Sequence, residues 1–365
     1  GIDSSLITAI SNELSLEKID TFNISYDDNE YDESLYAKKI SQYLNTNHHD
    51  IRFNEKSTKK IIPDLGKIYC EPFADRSQLP MIFLSKYTSN FKKVVLSGDG
   101  ADELFGGYNR HIASKRILFF NKSLPYFLRS KLSKSDNKYI ERIYNIFRIL
   151  NNKNNFHNKL TNNQINKFKS VIKSIDIYDF YKNSLINNEH NTLGNLKEID
   201  LNIFSNQNLK NKNDLNKLLD LDYSFYLTND ILHKVDRASM ASSLESRAPF
   251  LDYEIKCFSD SLPISKKIYK NKGKIILRNV LKKYLPNNLI DRPKMGFDVP
   301  LSYWARNDLK ETFLSYINSS KIFEYVDVNR NKVEHLKKEF ILGKNNNFTL
   351  VWNYVVLQIW FETYF

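Results

Sequence analysis

Cysteine is scarce: only Cys70 and Cys257 occur in 365 residues, too few and too far apart for a disulfide framework or a zinc site. Two thiols fit a reducing compartment. A long apolar run is also lacking. The most apolar tract, Phe348 to Phe365, is broken by Asn353, Gln358 and Glu362, so it reads as a buried helix rather than a membrane span. No repeat of fixed period appears, and the residues from Gly1 onward do not read as a signal peptide. These absences predict a soluble, cytoplasmic protein with no membrane partner. The net charge of +12 raises nucleic acid as a partner, but the excess lysine is scattered in an Asn- and Lys-rich background. No basic stripe with interleaved aromatics is present, which argues against nucleic acid.

What is present centres on Val94 to Tyr108, where Val94-Val95-Leu96 stops at Ser97-Gly98-Asp99-Gly100 and Asp102, Glu103, Gly106 and Gly107 follow. A continuously apolar run of this kind predicts a strand covered on both faces of a parallel sheet, and ligands of such sheets bind beyond the strands' carboxyl ends. Gly98 and Gly100 allow backbone conformations closed to other residues and a close approach to a ligand. Carboxylates crowded beside exposed N–H groups suit a Mg²⁺ and a polyphosphate that neutralise each other. A plain acidic first helical turn accounts for the same residues separately. At the start of the chain, Gly1, Asp3, Ser4 and Ser5 open an apolar-periodic helix, placing N–H groups, hydroxyls and the positive dipole end where a phosphate binds. Asp and Ser are equally the ordinary N-cap residues.

Together these stretches resemble the synthetase part of a glutamine-hydrolysing asparagine synthetase of class B type. The family's loop Ser-Gly-Gly-x-Asp-Ser-Ser is present from its second glycine, Gly1, and its motif Leu-Ser-Gly-(Asp/Glu)-Gly-x-Asp-Glu is complete at Leu96 to Glu103. Further matches are Glu71 to Asp75, Lys234 to Ala241, Leu244 to Asp252, Gly273 to Arg278 and Arg292 to Pro300.

The resemblance implies a ligase that forms a carbon–nitrogen bond. Aspartate is adenylated by ATP with Mg²⁺, pyrophosphate leaves, and ammonia displaces AMP from β-aspartyl-AMP to give asparagine. On that reading Gly1, Ser4 and Ser5 hold pyrophosphate, Asp3 and Asp102 bind Mg²⁺, and Ser97 and Gly98 contact the nucleotide. Ile24 flanks adenine, or is a plain core residue. Asp99 accepts a proton from, or orients, the attacking ammonia, and Lys274 stabilises the departing pyrophosphate. Glu71, Asp75 and Arg76 shape the aspartate pocket, although the family often has Ser where Arg76 stands. Asp230, Lys234, Asp236 and Arg237 fall on one helix at spacings of three and four. Arg237 and Arg247 bind phosphate or aspartate, or form buried ion pairs in the cleft wall. His48 and His49, adjacent in a strand, make a poor metal pair.

The resemblance also implies a fold, an adenine-nucleotide α-hydrolase-like sheet of the N-type ATP pyrophosphatases with helices on both faces, followed by a largely helical half. The alternation of segments reaches the same α/β class independently: helices over Ile2 to Leu14, Tyr31 to Leu44, Lys59 to Tyr69 and Leu79 to Phe91, and strands over Ile19 to Tyr26, His48 to Phe53 and Val94 to Leu96. The expected division is residues 1–110 as the ATP-pyrophosphatase core and 111–365 as the helical part. A helix and turn are expected at Leu221 to Arg247 and further helices at Lys274 to Tyr284 and Asn347 to Phe361, while the Lys- and Asn-rich stretch from Asn121 to Asp214 is the least informative. The first strand, the loop's Ser-Gly and the glutaminase domain with its N-terminal cysteine are expected in a longer chain, so this piece is expected to bind ATP poorly and to need ammonia or a glutaminase partner. A homodimer is left open. Competing readings are a β-lactam-synthetase-like, peptide-cyclising or sugar-acid-amidating relative, where β-lactam formers carry Tyr at the place of Asp99; an RNA-modifying ATP pyrophosphatase; and a non-catalytic scaffold.

Overall fold

The computed structural model describes residues 1–28, 32–149, 162–185, 193, 212–291, 299–343 and 348–365. Of the Arg292 to Pro300 motif only Val299 and Pro300 fall within them, and the Asn151 to Asn155 cluster and Tyr31 lie outside them. Helix α1 spans Ile2–Leu14, the range its apolar spacing predicts, with Leu6, Ile7 and Ala9 turned inward. Strand β1 (Asp20–Ser25) pairs in parallel with β2 (Asn47–Arg52). Helix α2 (Ser34–Tyr43) crosses between them, the kind of connection that a parallel pair requires.

The single helix expected over Lys59 to Tyr69 is instead two: α3 (Glu55–Ile61) and α4 (Leu65–Tyr69), separated by a 3-10 turn at Ile62–Asp64. Pro63 lacks the N–H that a continuous helix needs and its ring crowds the preceding turn. Helix α5 (Gln78–Thr88) tolerates Pro80 because the first turn has no intrahelical use for that N–H. Strand β3 (Val94–Leu96) then pairs in parallel with β4 (Glu245–Arg247), a strand that the sequence does not announce.

One expectation fails here. Val94 and Leu96 are each 52% exposed, not buried on both faces, because the strands form two separate two-stranded pairs, β1 with β2 and β3 with β4. Among the described residues each strand therefore has a neighbour on one side only. Parallel pairing holds; a single covered sheet does not.

After α6 (Ala101–Phe105) and α7 (Asn109–Ser123) the described residues hold helices and turns, with β4 and one isolated bridge as their only extended pairings. Asp222–Leu232 is π-helical and runs straight into the helix His233–Met240. The apolar C-terminal helix Phe348–Tyr364 is buried, with Val351, Trp352 and Val355 fully covered. No described helix is long and apolar enough to cross a membrane.

The core that matters for the site is the one uniting Leu6 and Ile7 of α1, Leu104 and Phe105 of α6, Phe250, and Leu277 and Leu281 of the helix Ile275–Leu281. Four segments of the sequence are thus fixed against one another. Each such side chain contributes about 1.5–3 kcal/mol by burial, and Phe105→Ala would remove about 3–5 kcal/mol.

Candidate functional site

The short helix α6 and the helix Ile275–Leu281 bring their first residues against the first turn of α1. Lys274, immediately before the latter helix, points its ammonium between two carboxylates: Nζ lies 2.6 Å from Asp3 Oδ2 and 2.7 Å from Asp102 Oδ1. The lysine is not the surface residue that a lysine-rich chain would suggest, since its side chain is 6% exposed. It is held by its backbone. Lys274 adopts a left-handed φ of 57°, its N–H donates to Phe105 O at 3.0 Å, and Arg278 Nε donates to Gly273 O at 3.1 Å. Gly107 permits the approach, because a Cβ there would lie 2.1 Å from Lys274 Cε and 1.8 Å from Asp102 Oδ1.

Charge balance at this cluster favours more cation. Burial, with Asp102 adding to it, raises the Asp3 carboxyl above its ordinary range despite Lys274. Burial works against the Lys274 ammonium, yet the two carboxylates hold it above the usual lysine value. Asp3 Oδ1 is buried without a hydrogen-bond partner. Two carboxylates with a spare oxygen are hard donors of the kind Mg²⁺ takes. Among the described residues no group of three or more His, Cys, Asp or Glu side chains could hold a metal. The donor set therefore fits a magnesium ion that completes its shell with phosphate oxygens and water, as nucleotide sites do.

The loop between β3 and α6 touches the same place. At Gly98 a Cβ would lie 2.9 Å from Asp3 Cβ and 3.0 Å from Ser4 N, so the absence of a side chain lets the loop reach the start of α1. Ser97 N–H donates to Arg247 O at 2.8 Å. Burial raises the Asp99 carboxyl, while the Ser97 hydroxyl and the Lys234 ammonium oppose that rise. On the other side of Gly1, Ser5 Oγ donates to Gly1 O at 2.6 Å, and a recess of about 110 Å³ is lined in part by Gly1, Ser4, Ser5, Asn23 and His48. Ile24 packs in the large core with Tyr26 and Phe53.

A second charged group gathers Asp75, Asp230 and Lys234. Asp75 accepts Ser77 N–H and the Ser77 hydroxyl, both at 2.9 Å, as α5 begins, and Lys234 Nζ lies 2.6 Å from Asp75 and 3.7 Å from Asp230. Burial opposes ionisation of Asp75, but Lys234 and Ser77 hold its carboxyl below the usual range. Asp230 is pushed up to about 7 by burial and by the neighbouring Asp75. Glu71 lies 2.9 Å from His233, which packs against Phe73. Arg237 and Arg247 do not join this group. Their side chains are 48% and 70% exposed, beside Asp236 and Glu245 respectively, which overturns the buried-ion-pair alternative. Asp236 is exposed too, so the four residues spaced along this helix do not share a buried face.

Sequence reasoning missed a third group. Arg110 of α7 sets Nε and Nη2 on Asp222 at 2.9 and 2.7 Å, and His111 bonds the same carboxylate. The guanidinium lies 4.0 Å from the Tyr108 ring and 4.6 Å from that of Tyr226, and the Tyr108 hydroxyl donates to Glu103. Burial pushes Glu103 up to about 7. The only local signal was the charged tail of the Gly106-Gly107 motif, since Asp222 stands 112 residues from Arg110.

A family model for asparagine synthase matches residues 1–362. Over 360 residues the chain is 24% identical to glutamine-hydrolyzing asparagine synthetase 1 of Bacillus subtilis (strain 168), covering 99% of this chain and 54% of that protein. A putative glutamine-hydrolyzing asparagine synthetase of Mycobacterium bovis is 27% identical over 378 residues, covering 99% of this chain and 53% of its own length. A second putative one from Methanocaldococcus jannaschii reaches 42% over 130 residues, 35% of this chain and 25% of that protein. The chain spans about half the length of the first two relatives. Since the match runs over nearly its whole length and takes in all the motifs that build the site, the chain belongs to the asparagine synthase family.

Proposed function

We propose that this chain is the synthetase half of a cytoplasmic ligase that makes asparagine from aspartate, ammonia and ATP. The observation that carries the reading is the Asp3–Lys274–Asp102 cluster, with Asp99 half-buried in the loop that touches it. In the first step the β-carboxylate of aspartate attacks the α-phosphorus of ATP and pyrophosphate leaves. Lys274 neutralises charge developing on the phosphates, the kind of preorganised electrostatic stabilisation that contributes most in a closed site. Gly1, Ser4 and Ser5 hold the pyrophosphate, and Ser97 and Gly98 line the nucleotide. Asp3 and Asp102 would hold magnesium, which when bound screens the phosphate charge.

In the second step ammonia attacks the acyl carbon of β-aspartyl-AMP, AMP leaves, and Asp99 takes the surplus proton. A carboxyl raised above its ordinary range makes a better base near neutral pH. Glu71, Asp75, Asp230 and Lys234 form the aspartate side of the cleft. Ammonia comes from glutamine through a glutaminase domain elsewhere in the longer protein. The two parallel pairs, β1 with β2 and β3 with the returning strand β4, are read as the nucleotide-binding part over residues 1–110, with 111–365 completing the cleft.

The test is pyrophosphate release from ATP by the full-length protein, given aspartate with ammonia or glutamine, and Asp99→Ala alongside. Aspartate-dependent release that yields asparagine and falls about 10²–10⁴-fold in the variant is expected. Release that needs a different carboxylic acid would sink the aspartate assignment.

A further inference from the structure

The Lys274 ammonium lies within 2.7 Å of one oxygen from each of the two carboxylates suited to share a divalent cation. A magnesium ion bridging those oxygens would need them at about 2.0–2.1 Å. An ammonium cannot keep both contacts while a dication sits between the same atoms, because the like charges would be almost in contact. We propose that Lys274 is the resident counter-ion of Asp3 and Asp102, and that a divalent cation enters only as the nucleotide's phosphates draw the ammonium away. The proposal rests on the reading of Asp3 and Asp102 as metal ligands.

Local geometry restricts how that exchange happens. The lysine's main chain is fixed by the bond to Phe105 O and by its left-handed φ, and its Cε lies over Gly107. The end of the side chain is what remains to move. Asp3 Oδ1, buried and without a hydrogen-bond partner, is an oxygen the ammonium does not use, and it is available to the incoming cation. Metal and nucleotide then bind as a pair: each alone meets a cluster whose charge is already partly matched, and together they replace one internal contact by several new ones.

Mn²⁺ binding to the full-length protein, followed by electron paramagnetic resonance without turnover, tests this. In the wild type, α,β-methylene-ATP is expected to tighten Mn²⁺ binding by about tenfold or more. Lys274→Met is expected to bind Mn²⁺ about tenfold more tightly than the wild type when no nucleotide is present, and to gain little from adding the analogue. Equal or weaker nucleotide-free binding by the variant would overturn the proposal. So would wild-type binding that is equally tight with and without the analogue, a result that needs no variant to fold. Asp102→Asn separates the two ideas. If it leaves Mn²⁺ binding in the presence of the analogue unchanged, the ligand assignment is wrong. If it weakens that binding while Lys274→Met gains nothing, only the counter-ion role is lost.

Discussion

Helix α6 leads into two charged clusters with opposite balances. In one, the Lys274 ammonium lies between Asp3 and Asp102, and Asp3 retains an oxygen without a hydrogen-bond partner. In the other, the single carboxylate of Asp222 takes both the guanidinium fork of Arg110 and the ring of His111, and two tyrosine rings flank the guanidinium. Both are buried and both join segments far apart in the chain. A carboxylate supplied with donors on both oxygens has little left to offer a ligand, whereas a pair short of positive charge attracts one. The first cluster is the one that the proposed function assigns to ligand binding, and the second ties α7 to the π-helical run.

Breaking the second cluster should produce the largest effect on stability. Asp222→Ala leaves Arg110 and His111 buried without their anion, and urea unfolding should register a loss of about 3–5 kcal/mol; a loss below about 1 kcal/mol would dissolve the contrast. Lys274→Met is expected to act on rate instead. Pyrophosphate release should fall about 10²–10³-fold, equivalent to about 2.7–4 kcal/mol, with a smaller drop in melting temperature than Asp222→Ala causes.

Glu103 sharpens the comparison through pH. Its folded value of about 7 lies above the ordinary 4.5, so the folded state keeps a proton that the unfolded chain releases. The stabilisation is full below about pH 4.5 and is lost as pH rises to 7, amounting to about 3 kcal/mol at about 1.4 kcal/mol per unit. Glu103→Gln can still accept from the Tyr108 hydroxyl, and its stability should lack that part of the pH dependence in denaturant titrations at pH 4 to 8. The smallest effect is expected at Arg247. Substitution by Ala should change stability by no more than about 0.5 kcal/mol, and a large loss of turnover with intact stability would show that this exposed guanidinium meets substrate.

Signals carried by neighbours in sequence were legible. The apolar spacing of Ile2 to Leu14 gave α1 its bounds, the alternation of strand and helix gave parallel pairing, and the order of motifs brought together Asp3, Asp99, Asp102 and Lys274. What could not be read depends on distant partners. A β-branched run such as Val94 to Leu96 looks the same whether one edge or both are paired, and Glu245-Ser246-Arg247 has no apolar alternation to mark it as a strand. Nothing local to Arg110 points to Asp222, and motif membership alone does not reveal that Arg237 and Arg247 face water. Pro63 was a readable break, and its neighbours' helical spacing concealed it.

The half-exposed Val94 and Leu96 have a consequence for handling the protein. They lie on a short parallel strand whose second edge has no pairing in the described residues, and such an edge is a template on which any extended chain can add itself. In concentrated preparations of this 365-residue chain, colloidal behaviour rather than unfolding would then set the practical limit. A lysine in place of Val94 is the kind of gatekeeper that keeps one molecule from recruiting the next.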